Sequence, residues 1–250
     1  MQNNKIKEYD LFVKYYDKVV RPYENQLEEE VFFLSDVLDE HAPEAKSILE
    51  CACWTWLILK ELSKKYDVRW LDLSEKMLNK AKKKLPEEVL MQGDMTNFNL
   101  NQKFDIVLCN YNSICHLTKF SDWEKFFEQA YGHLNQNWIL IFDINTLFEF
   151  NVLAENYMYS RQFWEDILCM EVKKTKNKPE NHFYWDLRLF VHQEDDNYKL
   201  VRERVSENTY EIYKIKEALN KLFKIEEIID FHNIEVKPDS ERVYFIARRK

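Results

Sequence analysis

The chain begins with apolar residues at helical spacing. Over residues 9–40, Tyr9, Phe12, Tyr16, Val19 and Val20 share one side, and a second amphipathic run follows Pro22. From Lys46 the pattern changes to short apolar runs alternating with helical spacings. The runs predict strands at 47–51, 67–71, 89–92, 104–110 and 138–144, and the spacings predict helices at 57–65, 74–84 and 122–134. Ser74, followed by Glu75 and the apolar pair Met77-Leu78, reads as an N-cap. Strand alternating with helix over about a hundred residues means βαβ units, hence a parallel sheet covered on both faces.

This rhythm breaks between Phe148 and Thr209, a stretch rich in Phe, Tyr and Trp in which 183–192 and 199–204 alternate like antiparallel strands. Helical spacing returns at 212–223, followed by strand patterns at 224–230 and 242–247. The intervening residues 231–241 are too few for a crossover helix with its loops and include Pro238, Asp239 and Ser240. The final strand therefore returns as a hairpin, antiparallel to its neighbour.

Composition narrows the function classes. The 250 residues suffice for one sizeable core, and a formal charge of -8 argues against wrapping nucleic acid or lying on anionic lipid. The lysines of 80–84 are flanked by acids and read as a solvated helix face. No apolar stretch reaches the ~20 residues needed to cross a bilayer, and MQNNKIKEYD has no apolar signal region. The five cysteines (Cys51, Cys53, Cys109, Cys115, Cys169) read as buried thiols in a reducing, cytoplasmic compartment, and no second cluster completes a metal site with Cys51 and Cys53. Glycine is the anomaly: the chain has two, Gly93 and Gly132, beside seven tryptophans, where average usage gives roughly 17 glycines.

A strand, a tight turn and a helix N-terminus, with an acid ending the next strand, form a nucleotide-binding arrangement. Here Glu50, Asp72 and Asp94 end three successive predicted strands and line up along the carboxyl edge of the sheet. The stretch SILECACWTWLILKELSKKYDVRWLDLSEKMLNKAKKKLP resembles the first motifs of class I S-adenosylmethionine-dependent methyltransferases, E-x-A-C-G-T-G followed by G-x-D-x-S-x-x-M-L. The similarity continues through QGDMTNF, FDIVLCNYNSICHL and LNQNWILIFDINT and returns in SERVYFIARRK.

The resemblance implies an α/β, Rossmann-like seven-stranded sheet, mostly parallel with an antiparallel last strand, helices on both faces and an antiparallel β cap insertion. Residues 1–45 would form a helical lid, 46–147 the cofactor core, 148–210 the cap, and 211–250 the helix and hairpin completing the sheet. By the same resemblance S-adenosyl-L-methionine is the cofactor and a small-molecule N or O acceptor is the partner. Glu50 and the backbone of Ala52, Cys53, Trp54 and Trp56 would hold its methionine end; Asp72 the ribose; Leu73 and Met77 the adenine. Asp94 and Met95 would meet the adenine edge, with Asn110 and Tyr111 at the sulfonium and the acceptor. His116 and Tyr16 are the candidate bases, each equally readable as a packing or lid residue. A non-catalytic cofactor-binding homologue is the alternative, and an NAD-dependent oxidoreductase a more distant one, disfavoured by the terminal hairpin.

Trp54, Trp56, Trp70 and Trp138 stand where the family has glycine, whereas Trp123 and Trp185 stand where the family accepts tryptophan, and Trp164 has no assigned place. One triplet read as glycine in the source and as tryptophan here accounts for all four; UGA has that ambiguity among bacterial codes. Lys65-Tyr66 and Leu222-Phe223 also lack an expected glycine without gaining tryptophan.

Overall fold

In the computed structural model of the protein, the described residues are 13, 24–53, 57–175, 182–232 and 235–250. Trp54, Trp56 and Tyr16 lie outside them, as does most of the helical pattern before residue 24. The elements run α1 (Glu24–His41), β1 (Ser47–Cys51), α2 (Leu57–Leu62), β2 (Asp67–Asp72), α3 (Glu75–Lys84), β3 (Val89–Gln92) and β4 (Phe104–Cys109). A 3₁₀ turn (Ser113–His116) leads to α4 (Phe120–His133), β5 (Leu134–Asn145) and α5 (Leu147–Asn156). Four strands follow, β6 (Met158–Phe163), β7 (Asp166–Lys174), β8 (His182–His192) and β9 (Tyr198–Asn208), then α6 (Ile212–Leu219), β10 (Phe223–Asp230) and β11 (Arg242–Arg249).

The main sheet has seven strands in the order β10-β11-β5-β4-β1-β2-β3. Strands β1 to β5 pair in parallel, and β11 runs antiparallel to both β5 and β10, as the short 231–241 connection requires. Both faces of the sheet are covered, so consecutive strand residues are buried in opposite directions. Leu49, Val107, Leu140, Phe142 and Phe245 pack beneath α4 and α6, while Ile48, Val68, Ile106, Ile141 and Ile246 pack beneath α1 and α3. The Phe142 and Phe245 rings stack at 4.8 Å between centroids. Ser74 caps α3 as expected, its hydroxyl accepting from the Met77 N–H at 3.3 Å.

Several expected boundaries shift. The helix begun at residue 57 stops at Leu62, and the one begun at 212 stops at Leu219. Strand β5 starts at Leu134 rather than 138, because the pairings Phe104↔Leu134 and Ile106↔Ile139 leave residues 135–138 as an excursion holding Asn137 at φ 66 beside Trp138. The stretch after 147 opens with a helix, α5, capped by the Thr146 hydroxyl accepting from the Glu149 N–H at 3.2 Å.

Strands β6-β7-β8-β9 form a separate antiparallel sheet. Its outer face carries ion pairs, among them Arg204 Nε to Asp186 Oδ1 at 3.2 Å and Lys173 Nζ to Glu171 Oε2 at 2.7 Å. Its inner face presents Phe163, Leu168, Met170, Leu187, Leu189 and Val205, which bury Met77 of α3, so this sheet roofs the carboxyl edge of the main one. Trp164 and Glu165 are the whole loop between β6 and β7, since Phe163 pairs with Asp166; Trp164 takes φ 56 there and is 70% exposed. Among the described residues no helix is long and apolar enough to cross a membrane.

Candidate functional site

The carboxyl edge of the main sheet forms the floor of the site. At the end of β1 the chain turns through Ala52 at φ 58, and the N–H groups of Ala52 and Cys53 both donate to Leu71 O, at 2.7 and 3.3 Å. Glu50 is buried beside this turn, in register with Trp70 of β2. Asp72 ends β2 buried, its Oδ1 accepting from the Ser74 N–H at 2.8 Å, which ties the carboxylate to the start of α3. Leu73 next to it is 69% exposed, an apolar side chain open to whatever planar group lies against the edge. Met77 and Met95 are buried nearby. Asp94 is exposed and closed onto its own loop, Oδ1 accepting from the N–H and hydroxyl of Thr96, both at 2.8 Å. The four thiols Cys51, Cys53, Cys109 and Cys115 are buried, and burial above all, then neighbouring anionic groups, raises them, so none is a thiolate nucleophile at neutral pH.

The end of β4 is the strained part. Tyr111 and Asn112 follow one another in the left-handed region, at φ 58 and 57, a conformation costing L-residues roughly 1–2 kcal/mol each. A buried polar network holds them there. The Asn112 N–H donates to Asp143 Oδ2 at 2.9 Å, its Oδ1 accepts from the Asn145 N–H at 2.6 Å, and its Nδ2 donates to Glu207 Oε2 at 3.1 Å. Arg242, first residue of β11, donates through Nε to Asp143 at 2.6 Å and through both terminal nitrogens to Glu30 of α1, at 2.7 and 2.8 Å. Its guanidinium lies among the rings of Tyr111, Phe231 and Tyr244, 4.9 to 5.0 Å from their centroids. The Asn110 amide is taken up in the same cluster, Nδ2 donating to Glu30 at 3.0 Å and Oδ1 accepting from Tyr244 at 2.9 Å, so Asn110 offers a ligand its backbone rather than its side chain.

Charge explains why this cluster persists. Burial alone would raise the Glu30 carboxyl, but Arg242 with donors from Tyr244 and Asn110 outweighs it and holds Glu30 below the usual range. For Asp143 burial wins over Arg242, with Glu30 adding repulsion, and the carboxyl is raised. Its Oδ1 has no hydrogen-bond partner among the described residues.

Above the floor, β9 turns Val201, Glu203, Val205 and Glu207 toward the inside, and both glutamates are buried in an otherwise apolar roof. His116, at the end of the 3₁₀ turn, brings Nε2 to 3.5 Å from Glu207 Oε1. That is longer than an ordinary hydrogen bond of about 2.7–3.2 Å. Burial pushes the imidazole down to about 4, against an opposing contact with the Ser206 backbone, and leaves it neutral at pH 7. The unfolded chain then takes up this proton first, so stability is lost as pH falls from 6.5 toward 4. His116→Gln is expected to narrow the gap between melting temperatures at pH 7 and pH 5, and scanning calorimetry at the two pH values reads it.

The structure thus gathers Glu50, Ala52, Cys53, Asp72, Tyr111 and His116 along one edge, and it adds Glu30, Asn112, Asp143, Glu207 and Arg242, which sequence reasoning missed. A signal existed for one of them: in LVRERVSENT the acids Glu203 and Glu207 fall in step with Val201 and Val205, at inward positions.

Residues 48–137 match the family of methyltransferase domains, and the fold over nearly the whole chain is shared with a solved S-adenosylmethionine-dependent methyltransferase. A solved S-adenosylmethionine-dependent methyltransferase from Clostridium acetobutylicum superposes with a TM-score of 0.79 over 96% of this chain and 98% of its own, at 24% identity. The dTDP-3-amino-3,4,6-trideoxy-alpha-D-glucopyranose N,N-dimethyltransferase of Streptomyces venezuelae is 40% identical over 85 residues, 34% of this chain and 36% of its own. The dTDP-3-amino-3,6-dideoxy-alpha-D-glucopyranose N,N-dimethyltransferase of Streptomyces fradiae is 31% identical over 127 residues, 50% of each chain. The matches therefore span between about a third and a half of the length of these two curated relatives.

Proposed function

We propose that this protein is an S-adenosylmethionine-dependent methyltransferase whose acceptor is a small amine. The edge residues suit the cofactor: a left-handed turn at Ala52 that ties β1 to β2, a buried Asp72 with its carboxylate fixed at the start of α3, and an exposed Leu73. When bound, the cofactor supplies an electrophilic methyl group. Transfer from a sulfonium needs alignment and exclusion of water more than covalent help, and the roof over the edge serves both.

The observation that carries the amine is the buried Glu207 carboxylate, 3.5 Å from His116 beneath an otherwise apolar roof. An anion held there attracts an amine or its ammonium and does nothing comparable for a neutral hydroxyl. The Glu207 carboxylate would also stabilise the positive charge that a methylated nitrogen carries. Two relatives named as amino-sugar N,N-dimethyltransferases support the reading.

The test is methyl transfer from labelled cofactor to amino sugars and to their hydroxyl analogues, in the chain as written and with Trp54 and Trp56 changed to Gly. Amines are expected to be turned over and hydroxyl analogues not. Glu207→Gln is expected to lower kcat/KM for the amine by about ten- to a hundredfold, the value of a hydrogen bond to a charged group. Equal transfer to the hydroxyl analogue would end the amine reading. Cofactor binding with no transfer to any acceptor would favour the non-catalytic alternative.

A further inference from the structure

We propose that Glu40, His41 and Glu227 form a binding site for a divalent transition-metal ion of the zinc type, where the end of α1 meets β10. The proposal does not depend on the methyl-transfer reading. Each residue offers one ligand atom, a ring nitrogen or a carboxylate oxygen, and the three atoms lie within 4.8 Å of one another. One ion with bonds of about 2.0–2.2 Å spans such a set after a small adjustment of the exposed Glu40 side chain, and keeps a water as fourth ligand. An imidazole with two carboxylates suits zinc, whereas magnesium and calcium prefer oxygen alone. The cluster lies away from the carboxyl edge: Arg248 donates both to the His41 carbonyl and to Asn137 O, in the excursion at the start of β5.

Two observations set this cluster apart from a chance grouping of surface acids. The first is in the backbone. Ile225 pairs with Ala247 but Glu227 with Ile246, so β10 carries one extra residue, Glu226. Successive side chains of a regular strand face opposite sides, yet past this bulge both Glu226 and Glu227 reach His41. The second is the setting of the imidazole. A histidine that binds a metal through one nitrogen usually turns the other to a carboxylate. His41 Nδ1 faces Glu226 Oε2 at 3.6 Å, and Arg248 fixes that oxygen at 2.6 Å while holding the His41 carbonyl at 2.8 Å.

The other nitrogen, Nε2, lies 3.0 Å from Glu227 Oε2. A neutral imidazole has one N–H and cannot donate to both carboxylates, so one nitrogen turns a lone pair toward an oxygen. A metal ion on the Nε2 side removes that conflict and is shared with Glu40, whose carboxylate has no hydrogen bond or ion pair among the described residues. Neither Glu40 nor Glu227 has a lysine or arginine partner among them, and the carbonyl end of α1 adds to the negative potential. The ion would fasten this end of α1 to the sheet, as Arg242 fastens Glu30 nearer its start.

The experiment titrates zinc into the chain as written by calorimetry and repeats the titration with cobalt followed by its visible spectrum. Saturable binding of a single ion is expected, with the melting temperature raised by about 5–10 °C at a hundredfold excess of zinc over its Kd. The cobalt spectrum should show d–d bands without thiolate charge transfer, which separates this site from the five cysteines. Glu40→Gln is the deciding variant, because its carboxylate has no other bond to lose. It should melt with the parent when zinc is absent and bind zinc at least about tenfold more weakly. Glu227→Gln should weaken zinc as much. Zinc binding at the parent's strength in both variants, a cobalt spectrum dominated by thiolate, or a melting temperature indifferent to zinc would each overturn the proposal; the last would mean that a proton alone joins His41 to Glu227.

Discussion

Changing Trp54, Trp56, Trp70, Trp138 and Trp164 together to glycine is expected to raise the melting temperature and to give tight cofactor binding that the chain as written lacks or shows only weakly. Ordinary expectation runs the other way, because glycine costs about 0.5–1 kcal/mol of chain entropy per site and a vacated core site costs about 3–5 kcal/mol. The structure separates the tryptophans into two groups. Trp123 is fully buried with its indole N–H donating to Leu117 O at 2.7 Å and its ring edge-on to Tyr210, and Trp185 meets Tyr157 in the same T-shaped way. Both are used as tryptophans. Trp70 is equally buried, yet its Nε1 has no hydrogen-bond partner among the described residues, a penalty of about 1–3 kcal/mol.

Trp164 is the cleanest case. It is the first of two loop residues in a hairpin, at φ 56 and 70% exposed, whereas its neighbour Glu165 is not among the positive-φ residues. A two-residue hairpin turn with positive φ at the first position alone calls for glycine there. Trp164→Gly by itself should stabilise by about 1–2 kcal/mol with no cavity to offset it. Tryptophan and glycine are separated by the reading of one triplet, so the five positions should share a codon that Trp123 and Trp185 do not use. Sequencing the gene settles that. Lower stability of the five-glycine chain, with equal or weaker cofactor affinity, would show the indoles to be adapted parts of the site.

Replacing Arg242 by methionine is expected to cost about 3–5 kcal/mol at pH 7, the usual penalty for leaving a buried charge without its partner. Glu30 and Asp143 are 2% and 0% exposed and share this one guanidinium. The pH dependence should change as well. In the parent, Glu30 is held below its ordinary value, so its contribution is present above that value and is lost as pH falls. In the variant both carboxyls are raised by burial, and a raised acid contributes stability at low pH that is lost as pH rises. Urea unfolding at pH 5 and pH 8 should therefore show a smaller deficit of Arg242→Met against the parent at pH 5 than at pH 8. A constant difference between the two at both pH values would refute the charge argument.

How much of this was legible before the structure differs by element. Strands β1 to β5 and their helices follow from period and length, because each is a continuous apolar run bounded by polar turns. The antiparallel β11 followed from the shortness of 231–241. Strand β6, MYSRQF, did not: it lies at the edge of the roof, and only Phe163 in it is buried, so no alternation marks it. Helix α5 was hidden in the same aromatic stretch. At the edge, the motif acids Glu50 and Asp72 lie buried at their strand ends and Asp94 lies exposed on its own loop, whereas nothing in the sequence pointed to Glu30, Asp143 and Arg242. A buried charge is defined by its partner, and Glu30 and Arg242 are 212 residues apart.

That separation has a consequence for how the protein comes to be folded. The cation that balances Glu30 and Asp143 sits on β11, which must enter between β10 and β5, both made earlier in the chain. Until it does, the two acids have no counter-ion and nothing orients Asp143 against the Asn112 N–H, so the left-handed turn at 111–112 lacks its support. Contacts of such range form late, because the loop they close must be ordered first. Insertion of β11 is thus the step at which the sheet closes and the floor of the site takes shape, and chains stalled before it would carry a loose roof over an unformed floor.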